Sequence, residues 1–293
     1  MPPLALAMVL AAALLHATWN IAAKHAGGNR HFALLSSLLL LVVWAPLALW
    51  VGAGEVGGWG PAAWAAVAAS GLVHLVYFLT LLRGYRESDL TVVYPVARGT
   101  GPLLTAAGAV LLLAEPVSGS TLLGVGGVCA GIWLLAGGPA LWRKAHDHAQ
   151  RARVRAGLAW GAATGVLIAS YTLIDGYAVK VLLISPILVD YLGNVFRIPW
   201  MLPGAWRDRD GLREAWRTQW KQALVVAVLG PIGYVLVLYA ATMAPLSHVA
   251  PAREVSMLFA ALIGGRLLGE QDRGWRVAGA LCIAAGVAAL AMG

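Results

Sequence analysis

The stretch YPVARGTGP, residues 94–102, places an arginine between two prolines and among glycines, inside a long apolar run. A guanidinium carries five N–H donors and keeps its charge, so in such surroundings it must meet an anion, carbonyl oxygens or a water-filled cavity. Against a bound carboxylate, Arg98 would make a two-pronged, charge-assisted contact. Against a protein carboxylate, with Glu254 as the candidate, it would be a structural ion pair. Thr91, Tyr94, Arg98, Gly101, Thr105 and Gly108 recur every three or four positions and so share one helical face. Pro95 and Pro102 remove backbone donors, which can open carbonyls toward a cavity or create a hinge.

The other polar residues within apolar stretches fall into comparable sets. APAREVSM, residues 250–257, carries Pro251, Arg253 and Glu254, with Pro245 and His248 just before. Adjacent residues on an α-helix point about 100° apart, so Arg253 and Glu254 should not share one face, and the spacing leaves open which of them faces a cavity. His16, Trp19, Asn20 and Lys24 line one side of a first helix, Thr164, Tyr171 and Asp175 one side of a sixth, and His74 and Tyr77 belong to a third. Their side chains could hydrogen-bond a substrate, while Trp19, Tyr77 and Tyr171 could stack on it or attract an ammonium group. Asp175 could take a substrate amine or a proton, or form a salt bridge at the outer rim with Lys180. Asp190, Asn194 and Arg197 share a side of a seventh helix, where helix packing explains them as well as transport does. HDH at 146–148 stands in a basic loop with no supporting ligand cluster, so no metal is expected.

The elements that must position these groups follow from composition. Of the 293 residues, 60% are hydrophobic and 12% charged, with a mean hydropathy of +0.76. Windows long and apolar enough to cross a bilayer lie at 4–23, 32–52, 62–82, 90–113, 119–137, 157–179, 183–204, 222–242, 246–268 and 275–292. The chain therefore reads as an all-α integral membrane protein of ten spans, multi-pass in a cell (inner) membrane. The first span lacks the basic start of a signal peptide and is read as retained. Cys129 and Cys282 fall within spans as small core residues. Arg98 lies about nine residues into its span, roughly 13 Å along the axis and near the centre of a 30 Å core.

The net charge of +8 is a matter of topology. Of the 21 Lys and Arg residues, 17 lie in or beside the loops after spans 1, 3, 5, 7 and 9. This positive-inside pattern puts those loops in the cytoplasm and both termini outside, and it removes the case for nucleic acid. Residues 207–222, with Leu212, Trp216 and Trp220 on one face amid basic residues, suit a helix lying on anionic lipid.

The chain also resembles itself. Sliding residues 97–138 by 155 positions onto 252–293 gives 14 identities in 42, where composition alone gives roughly five. Arg98/Arg253, Glu115/Glu270, Gly124/Gly279 and Gly131/Gly286 are among them. The expected organisation is a first five-helix repeat over 1–138, a basic cytoplasmic linker over 139–156 and a second repeat over 157–293. An odd number of spans per repeat makes the two an inverted-topology pair. In secondary transporters so built, the site lies near the midplane between Gly- or Pro-interrupted segments.

With HATWNIAAK at 16–24, YPVARGTGPLL at 94–104, LAEP at 113–116 and LLGE at 267–270, the chain resembles the EamA-type ten-helix exporters of the drug/metabolite transporter superfamily, YddG-like amino-acid exporters among them. The resemblance implies a basket of helices exporting amino acids or related metabolites through a cavity lined by both halves. The same superfamily includes sugar, nucleotide-sugar, purine and drug carriers. The candidate substrate-binding set is His16, Trp19, Asn20, His74, Tyr77, Tyr94, Arg98, Tyr171, Asp175, Arg253 and Glu254. Pro95, Pro102, Pro231, Pro245 and Pro251 are hinge candidates for alternating access. The expected partners are a small-molecule substrate and the lipid bilayer, with no cofactor; energy coupling is open between proton antiport, for which Glu254, Asp175 or His16 could titrate, and facilitated diffusion, which needs no such group. No nucleotide-binding loop supplies ATP drive, and no paired acids or metal-ligand spacing mark a membrane-embedded enzyme. A channel would need a filter or charged ring.

Overall fold

The structure is a computed structural model that describes residues 1–26, 30–88, 90–135, 148–259 and 273–292. Among these every regular element is helical: α1 (Pro3–His25), α2 (Arg30–Glu55), α3 (Pro61–Glu87), α4 (Leu90–Leu112), α5 (Gly119–Leu135), α6 (His148–Lys180), α7 (Pro186–Arg207), α8 (Arg209–Met243), α9 (Leu246–Ala252) and α10 (Arg273–Met292). Nine of the ten expected windows coincide with one helix each, and α9 covers the start of the remaining one, 246–268. Five helices meet the length and hydropathy of a membrane crossing within the described residues, and shorter apolar helices occupy Gly119–Leu135 and Val277–Met292. Glu270 and LLGE, the linker up to 147, the first two residues of HDH and the second half of span 9 lie outside the described residues, as do the side chains of Lys24 and Thr91.

Prolines act differently in different helices. α4 runs unbroken through Pro95 and Pro102, and α8 through Pro231. In α9, by contrast, Pro251 withholds the amide that would bond one turn back, and the chain tightens into a 3₁₀ turn at Arg253–Val255. Pro245 stands at the N-terminal boundary of α9. Span 9 is thus interrupted at its two ionisable residues, where a continuous helix was expected.

Glycines let several helices approach closely. A Cβ on Gly131 of α5 would stand 2.6 Å from the Gly279 carbonyl oxygen of α10, and one on Gly279 would stand 2.7 Å from that of Gly131. Gly286 makes the same approach to the Gly124 carbonyl at 2.7 Å. The face of α4 expected to line a chamber is partly used in this way. A Cβ on Gly101 would meet Ile168 of α6 at 2.8 Å, Gly108 abuts Leu173, and Thr105 donates back to the Gly101 carbonyl at 2.9 Å. Small residues there serve helix contact.

The two ends of the bundle are separately tied. At one end the Met1 ammonium donates to the Ala291 carbonyl (2.9 Å), and Glu55 accepts from the Ser185 amide (3.0 Å). There too Glu115, in the loop between α4 and α5, accepts from Lys180 Nζ (2.7 Å) and from the amides of Leu246 (2.6 Å) and Ser247 (2.9 Å). At the other end Arg30 pairs with Asp208 (2.9 Å), and Ser88 donates to the Arg153 carbonyl (2.7 Å).

Candidate polar core between the helices

The interruption of span 9 puts both of its charged residues inside. Arg253 and Glu254 are buried, and Glu254 reaches across to α4, where its Oε2 lies 2.8 Å from Arg98 Nε. The N–H does not point at that oxygen, and neither atom has an aligned partner among the described residues. The contact is therefore a close ion pair with imperfect hydrogen-bond geometry. Arg98 Nη2 also donates to Ser256 Oγ (2.9 Å), and its guanidinium carbon stands 5.8 Å from the Tyr94 ring centre. Of the two roles open to Arg98, the ion pair with Glu254 is the one seen.

Arg253 differs. It is 7% exposed, and its Nε has no hydrogen-bond partner among the described residues. Tyr171, Glu254, Arg98 and Tyr234 are its electrostatic neighbours. Among the described residues two guanidiniums thus neighbour Glu254, and it is Arg98 that stands in contact with it. His16 is close enough to feel both arginines. It meets Trp19 edge to face at 4.8 Å, and its carbonyl accepts from Asn20 Nδ2 (2.7 Å).

A second cluster continues from the first. His74 stacks on Tyr171 (3.9 Å) and meets Tyr234 edge-on (5.8 Å), while Tyr77 meets Tyr171 at 5.6 Å. His74 Nδ1 is 2.9 Å from the Ser70 carbonyl oxygen, which can only accept, so Nδ1 carries a proton. Asp175 is wholly buried: its Oδ2 accepts from the Tyr234 hydroxyl, and its Oδ1 has no hydrogen-bond partner among the described residues. The rim salt bridge considered between Asp175 and Lys180 is not formed. Five residues of α-helix turn the chain about 140°, so the two side chains diverge, and Lys180 bonds Glu115 instead. Asp190, Asn194 and Arg197 adjoin this cluster. Arg197 donates to Asn194 (2.8 Å) and Ser37 (3.3 Å), which ties α7 to α2.

The cavity seen among these groups is small. Ser70, His74, Asp190, Asn194, Arg197 and Tyr234 line a cavity of about 20 Å³, room for about one water molecule. A larger cavity of about 270 Å³ lies elsewhere, between Val96 and Leu103 of α4, Trp133 of α5 and Leu158 of α6, and is mainly apolar. Ring stacking between α3 and α6 and the ion pair between α4 and span 9 together fill the centre. Tyr234, Ser256 and Ser70 were not singled out in the sequence. Tyr234 had a readable signal, a lone tyrosine after GPIG in an apolar span, whereas serines in apolar helices are too common to stand out.

The model of the EamA-like transporter family matches residues 3–137 and again 155–292. A solved crystal structure of a protein 16% identical in sequence superposes with a TM-score of 0.75, covering 98% of this chain and 96% of that one. At that identity the likeness speaks for the fold. No curated protein matches the sequence.

Proposed function

The chain belongs to the EamA-like transporter family of the drug/metabolite transporter superfamily, and on that premise we propose that it is a secondary exporter of small zwitterionic metabolites, amino acids foremost. The observation that carries this reading is the buried guanidinium of Arg253, whose Nε has no hydrogen-bond partner and which has no carboxylate at ion-pair distance among the described residues. A charge in that position needs an anion, and a substrate carboxylate supplies one. The carboxylate role first considered for Arg98 passes to Arg253, because Arg98 is already neutralised by Glu254. Tyr171, Tyr77 and Tyr234 offer ring faces to the remainder of the substrate. Sugars and other uncharged cargo in the same superfamily would leave that guanidinium unsatisfied.

The proposed architecture is two five-helix units, 1–138 and 157–293, of inverted topology and joined by 139–156. Its support is reciprocal packing. Gly124 and Gly279 are equivalent in the repeats, as are Gly131 and Gly286, and the close contacts run from Gly131 to Gly279 and from Gly286 to Gly124. Exchanging the halves maps each contact onto the other, as an antiparallel pair about an axis in the membrane plane requires. The closed core is then one state of an alternating-access cycle, with Pro95, Pro102, Pro245 and Pro251 as bending points and both termini outside a cell (inner) membrane.

Countertransport in reconstituted vesicles tests the reading. Unlabelled amino acid inside should accelerate entry of labelled amino acid, which neither a channel nor an enzyme would produce. Arg253→Ala should raise KM about ten- to a hundredfold, the loss of one charge-assisted contact of about 1.5–3 kcal/mol, with partial recovery in Arg253→Lys. Unchanged kinetics in Arg253→Ala would remove the carboxylate site.

A further inference from the structure

Asp175 is a wholly buried acid for which the described residues provide no cation at ion-pair distance. One of its oxygens accepts from Tyr234, and the other has no aligned hydrogen-bond partner among the described residues, although the Ser70 hydroxyl lies near the carboxyl. The groups facing it are accounted for helix by helix. From α3 come Ser70, whose hydroxyl lies near the carboxyl, and His74, which stacks on Tyr171 with its Nδ1 2.9 Å from the Ser70 carbonyl oxygen. From α7 come Asp190, which adds negative charge, and Arg197, bonded to Asn194 and Ser37. From α8 comes Tyr234. From span 9 come Arg253, a minor influence at longer range, and His248, bonded to Thr121. On α6 itself Tyr171 stacks on His74, and Lys180 is taken by Glu115. An ionised carboxylate in this position would be a buried charge with an empty lone pair, several kcal/mol above a compensated one.

We propose that the Asp175 carboxyl is a proton-carrying site: it holds a proton whenever the core is closed around it, and yields that proton to water when α3, α6 and α8 part. This rests on the carrier reading above. The carboxylate left behind can be closed over again only with a cation beside it, either a returning proton or the ammonium group of a zwitterion whose carboxylate sits on Arg253. One site thus takes proton or ammonium in turn, and the two move in opposite directions. With one proton per substrate, a gradient of one pH unit sustains about tenfold accumulation of substrate.

The test has a substrate-free arm and a flux arm. Infrared spectra of the reconstituted wild type at neutral pH should contain the carbonyl stretch of a protonated carboxyl that Asp175→Asn lacks. Tyr234→Phe, a milder change, should keep the band and move it to higher frequency as its hydrogen bond is lost. A wild type without the band, or a band unchanged in Asp175→Asn, overturns the proposal. In the flux arm, vesicles receive a uniformly labelled mixture of the twenty amino acids. Wild type should accumulate label about tenfold per pH unit, and any accumulation by Asp175→Asn should be independent of pH. Equal pH response in both proteins overturns the coupling role. An Asp175 band without amino-acid exchange upholds the proton site while refuting the cargo assigned above.

Discussion

Arg98 and Arg253 occupy equivalent places in the two repeats yet meet different company. The residue after Arg253 is Glu254, whereas the residue after Arg98 is Gly99, so among the described residues the two guanidiniums have Glu254 in common. Its pairing with Arg98 is buried on both sides. Breaking such a pair from one side costs about 3–5 kcal/mol, while replacing both partners by apolar residues is far cheaper. Thermal unfolding should therefore show Arg98→Met and Glu254→Leu each strongly destabilising, and the double variant losing less than the sum of the two, with the buried Arg253 still lacking its share of Glu254. Additive losses would mean that the pair does not couple. Glu115 gives a pH prediction. Burial alone would raise its carboxyl, but the Lys180 ammonium and the amides of Ser247 and Leu246 outweigh that and hold it below the usual glutamate range. Its folded value is depressed, so its stabilisation is in force above the unfolded value of about 4.3 and is lost as pH falls through the folded one. Melting temperature should drop on acidification below about pH 4, and Glu115→Gln should flatten that drop while costing about 1–3 kcal/mol at neutral pH.

At the level of elements, the tightest constraint is the α5–α10 seam. Gly131→Leu would drive a side chain into the Gly279 carbonyl and Ile283. Overpacking of this kind costs typically about 1–3 kcal/mol, so detergent-solubilised protein should melt well below wild type, with Gly126→Leu as the control because nothing lies near its Cβ position. The ten helices were legible in the sequence because a bilayer core demands long apolar runs, and their spacing placed Tyr171 and Asp175 on one side of α6. The break in span 9 was not legible as such. Pro95, Pro102, Pro231 and Pro251 read alike in a sequence, yet only after Pro251 does the helix tighten, and there Arg98 lies across from the turn to bind Glu254. Whether a small-residue face of α4 lines a chamber or admits a neighbour was equally hidden, since glycine suits both; Ile168 and Leu173 decide it.

For the whole molecule, the repeat was visible as self-similarity, but its spatial meaning needed contacts between residues 155 or so apart in the chain. The ties at the two ends make the arrangement testable. Ser118 and Lys180 belong to the end where Met1 meets Ala291, and Arg83 lies in the last turns of α3, toward the end where Ser88 bonds Arg153. Single cysteines at 118 and 83 should react with a membrane-impermeant reagent from opposite sides of the bilayer, with 118 labelled from outside. Labelling of both from one side would refute the membrane crossing of α4, on which the inverted arrangement of the halves depends. The reciprocal glycine seam has a consequence for assembly. Because each half presents the other with a surface that depends on packing and not on covalent continuity, a gene cut within the linker should still yield a working carrier when its two pieces are synthesised together, each piece serving as the template on which the other docks.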